Sequence, residues 1–287
     1  MNKIHAKLFE FLEIGDDFPT VIMGVLNLSP ESFYQGSVYS DAKSIINATT
    51  QMIGNGAKII DIGGRSTAPW SEKITLDEEI KRVQSALEVV CSIIPEDIII
   101  SIDTQYKRVA QIAYNMSQDY SKKLIINDIS CLKTDPSLQD FVIENALPVI
   151  LMASKEVPGD LFTIDEIYSE FEKTINQLRL KGYDETKIIL DPGIGKWVKE
   201  KNHSYDLKII GNLNKLISLQ KPILVAISRK SFIGTTLNLP NPEDRLNGTL
   251  SSTAIAVFNG AHIIRTHDVN SQLVEIVTMA EEIRRNR

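Results

Sequence analysis

Apolar residues in this chain gather in short continuous runs. Val21–Leu26, Lys58–Ile62, Ile98–Ile102, Leu124–Ile126, Pro148–Met152, Lys187–Leu190, Pro222–Ile227 and His262–Ile264 are dominated by Ile, Val and Leu. Such runs suit strands buried on both faces, the condition of a parallel sheet. Between them lie stretches with helical period. Residues 41–55 place Ile45, Ile46, Thr49, Met52 and Ile53 on one face before Gly56, and Thr75-Leu-Asp-Glu78 reads as a capping box for a helix running to Ile93. Further helices are predicted over 109–116, after Asp135-Pro136, from the Thr163–Glu166 cap to Gly182, over 205–219, over 244–259 and over 271–285. Eight strand–helix units in regular alternation, with no break in composition, predict parallel strands joined by right-handed crossovers. No GxGxxG follows the first strand, as a doubly wound dinucleotide fold would favour. The expected fold is therefore a single-domain (β/α)8 TIM barrel over residues 20–287, with residues 1–19 as an N-terminal extension, a short hairpin lidding one end.

Composition changes this picture little. The 287 residues fit one such barrel. A net charge of −6 gives no support to a nucleic-acid surface, although an acidic surface can surround one cationic pocket. No apolar run reaches the ~18 residues of a membrane span, and Met1–Asp17 mixes charge and apolar residues too evenly for a signal peptide, so a cytoplasmic protein is expected. Cys91 and Cys131 lack metal or redox spacing and are expected to be buried thiols.

The chemistry sits where the strands end. Asn27, Asp61, Asp103, Asn127, Asp191, Lys230, and Arg265 with His267 all fall at the carboxyl ends of predicted strands, which ring one pocket in a barrel. Two cations and two hydroxyls in Ser228-Arg-Lys-Ser231 close a buried strand, and Arg265 and His267 occupy alternate positions on the next. Lys230, Arg265 and His267 would then face one mono- or diphosphate; the plain alternative is solvated charge, or a salt bridge to Asp268. Asp103, Asn127 and Asp191 offer acceptors and donors for the amino-pyrimidinone edge of a pterin or purine, against the alternative that each Asp caps the following turn. His203 reads as a helix-start residue, and His5 and His262 as structural. The only metal expected is an oxygen-ligated Mg2+ riding on a phosphate, with Asn27 as a protein ligand.

Several ordered blocks resemble the dihydropteroate synthases of the pterin-binding barrel superfamily. They are Met23–Phe33, Ile60–Gly64 with Ser66-Thr67, Ser101–Thr104, Ile126–Ile129, Leu190–Gly195, Ser228–Ser231 and Arg265–Asp268, spanning about residues 20–285. The resemblance implies condensation of a dihydropterin-methyl diphosphate with an arylamine and loss of pyrophosphate. It assigns the pterin to Asp103, Asn127, Asp191 and Lys230 with Met152, the diphosphate and Mg2+ to Asn27, Arg265 and His267, and the acceptor to Thr67, Ser66, Ser231 and Arg65. Lys230, Arg265, His267 and Asn27 are the catalytic candidates. Such enzymes are commonly homodimers; Val257, Phe258 and Val274 of the last helices would be interface candidates if exposed.

The chain departs from the family pattern near the acceptor. Gln35 stands where Asp is usual, Arg65 where Glu is usual, Ala68 where Arg is usual, residues 153–155 replace a Met-His-Met ending, and Lys196-Trp-Val-Lys199 replaces Phe-Gly-Lys. A ribosylated, phosphorylated aminobenzene, the acceptor of methanopterin-type members, would meet the added cations Arg65, Lys196 and Lys199. Two other classes are carried forward: a methyltetrahydropterin–corrinoid methyltransferase and a non-catalytic pterin-binding protein.

Overall fold

The structure, a computed structural model, describes residues 3–29, 38–39, 41–66, 71 and 73–286; Gln35, Thr67 and Ala68 lie outside them. The chain opens with an antiparallel hairpin, β1 (His5–Phe9) and β2 (Leu12–Gly15). The alternation then runs β3 (Val21–Asn27), α1 (Ala42–Gly54), β4 (Ile59–Gly63), α2 (Leu76–Ile93), β5 (Ile99–Asp103), α3 (Lys107–Asp119), β6 (Lys123–Asp128) and α4 (Pro136–Glu144). It continues through β7 (Val149–Met152), α5 (Ile164–Leu180), β8 (Ile188–Asp191), α6 (His203–Gly211), β9 (Leu224–Ala226), α7 (Ser231–Leu237), α8 (Leu246–Phe258), β10 (Ile263–Thr266) and α9 (Ser271–Arg285).

Strands β3 to β10 form one parallel sheet in the order β8-β7-β6-β5-β4-β3-β10-β9. A bridge between Leu190 and Ile223, with the Leu190 N–H donating to the Pro222 carbonyl at 2.9 Å, brings β8 to β9 and closes the barrel. The apolar runs are continuous because both strand faces are covered. Ile22, Ile60, Ile100, Ile126, Leu151, Leu190, Val225 and Ile264 pack outward against the helices, while Met23, Ile59, Ile99, Ile125, Ile150, Ile189, Leu224 and Ile263 fill the interior. Period-two alternation then fixes the site. Two residues beyond each interior Ile, on the same face, come Asp61, Ser101, Asn127, Met152, Asp191 and Arg265, and two further on β5 comes Asp103.

Ala6, Leu8, Leu12 and Ile14 of the hairpin join the interior cluster. The hairpin thus plugs the amino end of the barrel and leaves the carboxyl end open. Its seat is also polar: the buried His262 ring contacts Asp16 at 3.1 Å, and Asp16 accepts the Ile4 N–H at 2.8 Å.

Three local expectations change. The Thr75 hydroxyl accepts the Glu78 N–H as an N-cap, but Glu78 does not complete the box; its carboxylate takes Arg82 Nε at 3.1 Å instead. Thr163 and Glu166 do form the reciprocal box. The helix expected over 205–219 is α6, begun by His203 after the Asn202 cap, and a separate 3-10 segment, Leu213–Leu219. Finally, α7 follows Lys230 directly, a seven-residue helix that was not among those predicted. Val257 is fully buried and is removed as an interface candidate; Phe258 and Val274 are half-buried.

Because Ile189 is wholly buried inside the barrel, Ile189→Ala is expected to lower unfolding free energy by about 2–5 kcal/mol through lost contacts and a cavity. Urea denaturation followed by circular dichroism checks this.

Candidate active site

A cavity of about 320 Å³ opens at the carboxyl end of the barrel, and Asn27, Asp103, Asn127, Asp191, Lys230 and Arg265 line it together with Met152 and His267. Asp103, Asn127, Met152, Asp191 and Arg265 reach it by the strand parity described above, Asn27 from the end of β3, His267 from just beyond β10, and Lys230 by a turn. Arg229 adopts φ +55°, in the left-handed region. The reversal sends its two neighbours in different directions: the Ser228 hydroxyl lies 3.0 Å from His267 Nδ1, while Lys230 enters the cavity. Arg229 itself turns away. It pairs bidentately with Asp268, 2.8 Å for each contact, and donates to the Pro242 and Glu243 carbonyls at 3.0 and 2.7 Å. The Ser-Arg-Lys-Ser motif thus supplies one cation to the cavity and one to the framework. The alternative of a salt bridge to Asp268 holds for Arg229, not for Lys230, Arg265 or His267.

At the floor, Arg265 is held between two carboxylates. Its Nε donates to Asp61 at 2.7 Å and its terminal nitrogen to Asp103 at 3.0 Å. Asn127 Nδ2 lies 3.3 Å from both Asp61 oxygens. Asp61 is completely buried, and a charge there is tolerable only because a guanidinium and an amide meet it. Burial holds the Asp103 carboxyl well above the usual carboxylate range, against the pull of Arg265 and with Asp61 adding to the rise. On the opposite wall Asp191 also lies above its ordinary value through burial, opposed by Lys230. It accepts the Gly193 N–H at 2.9 Å, so it caps its own turn and faces the cavity at once.

Lys230 donates to the Ile194 carbonyl at 2.5 Å and stands 5.3 Å from the centre of the Trp197 ring. Burial lowers its ammonium to about 8, with Asp191 holding it from falling further. The Trp197 indole rests on Gly159, where a Cβ would lie 2.2 Å from the ring; only a glycine fits beneath it. His267 is pushed down to about 3 by burial and by Arg265, Lys230 and Arg229, so its imidazole is neutral across the physiological range.

Ser66, Ser231, Arg65 and Lys196 also line the cavity, whereas Thr67 lies outside the described residues. The Arg65 side chain is engaged: Nε meets Glu79 at 2.6 Å, another nitrogen donates to the Ile74 carbonyl at 2.8 Å, and its guanidinium sits 5.5 Å from the Tyr106 ring centre. Lys199 does not line the cavity. Among the described residues, no group of three or more His, Cys, Asp or Glu side chains could hold a metal.

The geometry can therefore read a flat donor–acceptor edge between Asp103, Asn127 and Asp191, and hold an anion beside Asn27, Arg265 and His267. Residues 23–267 match the family described as pterin binding enzyme. The chain belongs to that family. Curated relatives include the dihydropteroate synthases of Bacillus subtilis, 34% identical over 91% of this chain and 88% of that one, and of Clostridium beijerinckii, 36% identical over 93% and 94%. Among solved structures, the Coxiella burnetii dihydropteroate synthase in complex with pteroic acid superposes with a TM-score of 0.83 at 32% identity, covering 98% of each chain. The Xanthomonas albilineans synthase with 4-aminobenzoic acid gives 0.82 at 26% identity, again over 98% of each.

Within the family frame, three features escaped the sequence reading: Asp61 as the second partner of Arg265, Arg229 with Asp268 as a brace, and the Trp197–Lys230 contact. The first had a signal, since a lone Asp inside an apolar run must be buried on one face and so requires a cation. The other two had none, because each joins loops distant in sequence.

Two outcomes follow from this geometry. Arg265→Ala leaves Asp61 and Asp103 facing each other, so it is expected to cost about 3–5 kcal/mol of stability and to weaken both a pterin diphosphate and the corresponding alcohol. Calorimetry with the two ligands checks this, and loss confined to the diphosphate would show that the carboxylates do not depend on Arg265. As pH rises through about 8, Lys230 loses its proton, and pterin diphosphate affinity is expected to fall there; His267, already neutral, adds no step of its own near pH 6.5.

Proposed function

We propose that this chain is a dihydropteroate synthase, a transferase that joins a 6-hydroxymethyl-dihydropterin diphosphate to p-aminobenzoate and releases pyrophosphate. The observation that carries this reading is the meeting of Asp103, Asn127, Asp191 and Lys230 with Asn27, Arg265 and His267 in one cavity. Its support is the relatedness to synthases, including structures that hold pteroic acid and 4-aminobenzoic acid. The corrinoid methyltransferase and the non-catalytic binder find no counterpart among these relatives.

In this reading Asp103, Asn127 and Asp191 bind the amino-pyrimidinone edge, and Met152 with the Lys230 stem flank the ring. The acceptor amine attacks the exocyclic methylene as the C–O bond breaks; the electron pair leaves with the diphosphate, and the amine then sheds a proton. An arylamine is unprotonated at neutral pH, so a strong base is unnecessary, which suits a neutral His267 that orients rather than abstracts. Cationic partners of the leaving diphosphate promote the cleavage. Arg265 already meets Asp61 and Asp103, and Lys230 faces Asp191, so little positive charge is left for a diphosphate. That donor set fits a Mg2+ carried by the substrate oxygens, with Asn27 as a protein ligand, and the ion would supply the missing charge. Ser66, Ser231 and Arg65 border the acceptor.

Arg65 is committed to Glu79 and Lys199 lies off the cavity, so of the three added cations Lys196 alone lines the cavity without another ion pair among the described residues. This favours p-aminobenzoate over a phosphorylated acceptor. We place the enzyme in the cytoplasm, where Cys91 and Cys131 stay reduced, and as a homodimer whose outward apolar residues on α8 and α9, Ile255, Met279 and Ile283, are its candidate contacts. No helix among the described residues is long and apolar enough to cross a membrane.

Pyrophosphate release with Mg2+, offered p-aminobenzoate and ribosyl-aminobenzene phosphate in parallel, tests the reading. Release with p-aminobenzoate is expected. Release with the phosphorylated acceptor alone would move the enzyme to the methanopterin type, and release with neither would overturn the assignment.

A further inference from the structure

The segment after β8 holds an ion pair that the chemistry above does not use. Lys201 is completely buried, as is its partner Asp206, and their nearest atoms are 3.4 Å apart. Taking an ammonium and a carboxylate out of water is costly, and a buried pair is on its own weak evidence of stability. What this pair touches is the loop that builds one wall of the cavity. Lys201 Nζ donates to the Gly193 carbonyl at 2.7 Å, and Asp206 accepts the Gly195 N–H at 2.8 Å. The same five residues, 191–195, are gripped from the cavity side: Asp191 takes the Gly193 N–H, and Lys230 donates to the Ile194 carbonyl. Gly193 and Gly195 adopt φ +70° and +128°, where other residues are strained, and a Cβ on Gly195 would come within 3.1 Å of the Lys230 side chain. The loop is thus an irregular backbone whose polar groups are satisfied alternately by the outer pair and by the two pocket residues.

We propose that Lys201, paired with Asp206, is a positioning residue for the pterin subsite: it holds the 191–195 loop so that Asp191 and Lys230 meet the substrate, and it stands with Lys230 and Arg265 among the cations that face Asp191. The proposal rests on the pterin reading of the cavity and deepens it. Lys201 does not touch substrate; it lies on the far side of the loop. The groups that face Asp191 are Lys230 from the turn after β9, Arg265 from β10, the Gly193 N–H of its own turn and Lys201 from the lead into α6. Burial raises the Asp191 carboxyl, and Lys201 is one of three cations that oppose the rise. Removing it raises that carboxyl further, so at low pH Asp191 is protonated earlier and loses its place as an acceptor for the pterin edge.

The test uses Lys201→Met and the double variant Lys201→Met/Asp206→Asn. In the double variant neither charge is stranded, and the Asn oxygen still accepts the Gly195 N–H. Binding of the dihydropterin diphosphate is measured by calorimetry across pH 5 to 8, with wild-type protein beside it and circular dichroism to establish folding. The expected result is a folded double variant whose affinity falls on the order of 10²-fold and whose low-pH limb moves to higher pH. Wild-type affinity with an unmoved limb would overturn the proposal. So would lost affinity with an unmoved limb, since loop collapse alone would explain it, and so would failure of both variants to fold, since Lys201 would then be a folding determinant. Failure of the wild-type protein to bind the pterin would instead strike at the functional reading itself.

Discussion

The rest of the site depends on one constraint: charged groups must be stable inside a barrel directly above a layer of aliphatic side chains. Arg265 solves it by lying between Asp61 and Asp103, with Asn127 closing on Asp61. An isolated carboxylate at the wholly buried Asp61 position would bear an uncompensated desolvation cost. With the guanidinium in place, the interior can carry a polar layer one step above the Ile layer. On the proposed function, Asn127 and Asp191 of that layer, with Asp103 one step higher, bind the pterin edge. Fold and function therefore meet at the same residues: the alternation that packs Ile59, Ile99, Ile125 and Ile189 also aims Asp61, Ser101, Asn127 and Asp191 inward.

A second consequence concerns protonation. The cavity is dry enough to raise Asp103 and Asp191 and to lower Lys230 and His267. A carboxyl poised in this way can accept from ring N–H groups and change state with its ligand, and an imidazole kept neutral serves as a polar wall rather than a proton donor. The opposed shifts of Asp191 and Lys230 arise from shared burial. Their mutual attraction limits each shift, and the 191–195 loop joins them mechanically.

Much of this was legible in the sequence, and for a physical reason. Strands buried on both faces must be apolar throughout, so the polar residue that ends each one stands out; Asp103, Asn127, Asp191, Lys230, Arg265 and His267 were all visible in that way. Resemblance supplied what spacing could not, namely pterin rather than purine. What stayed hidden involved contacts between loops. Arg229 and Lys230 are adjacent and chemically alike, and only the left-handed turn at Arg229 sends one to the framework and the other to the cavity. Arg65 looked like a spare cation until Glu79, from the following helix, was seen to bind it. Helix limits failed where local periodicity was thin, at Gly211 and in the seven residues of α7.

The most direct measurement of the central claim is a carbon-detected NMR titration of the aspartate side chains in protein labelled at those carboxyls, with and without a dihydropterin. The account predicts that Asp103 and Asp191 titrate above the ordinary carboxylate range in the free protein and that the pterin perturbs these two signals ahead of the surface aspartates. Ordinary titration of both, unmoved by ligand, would contradict it.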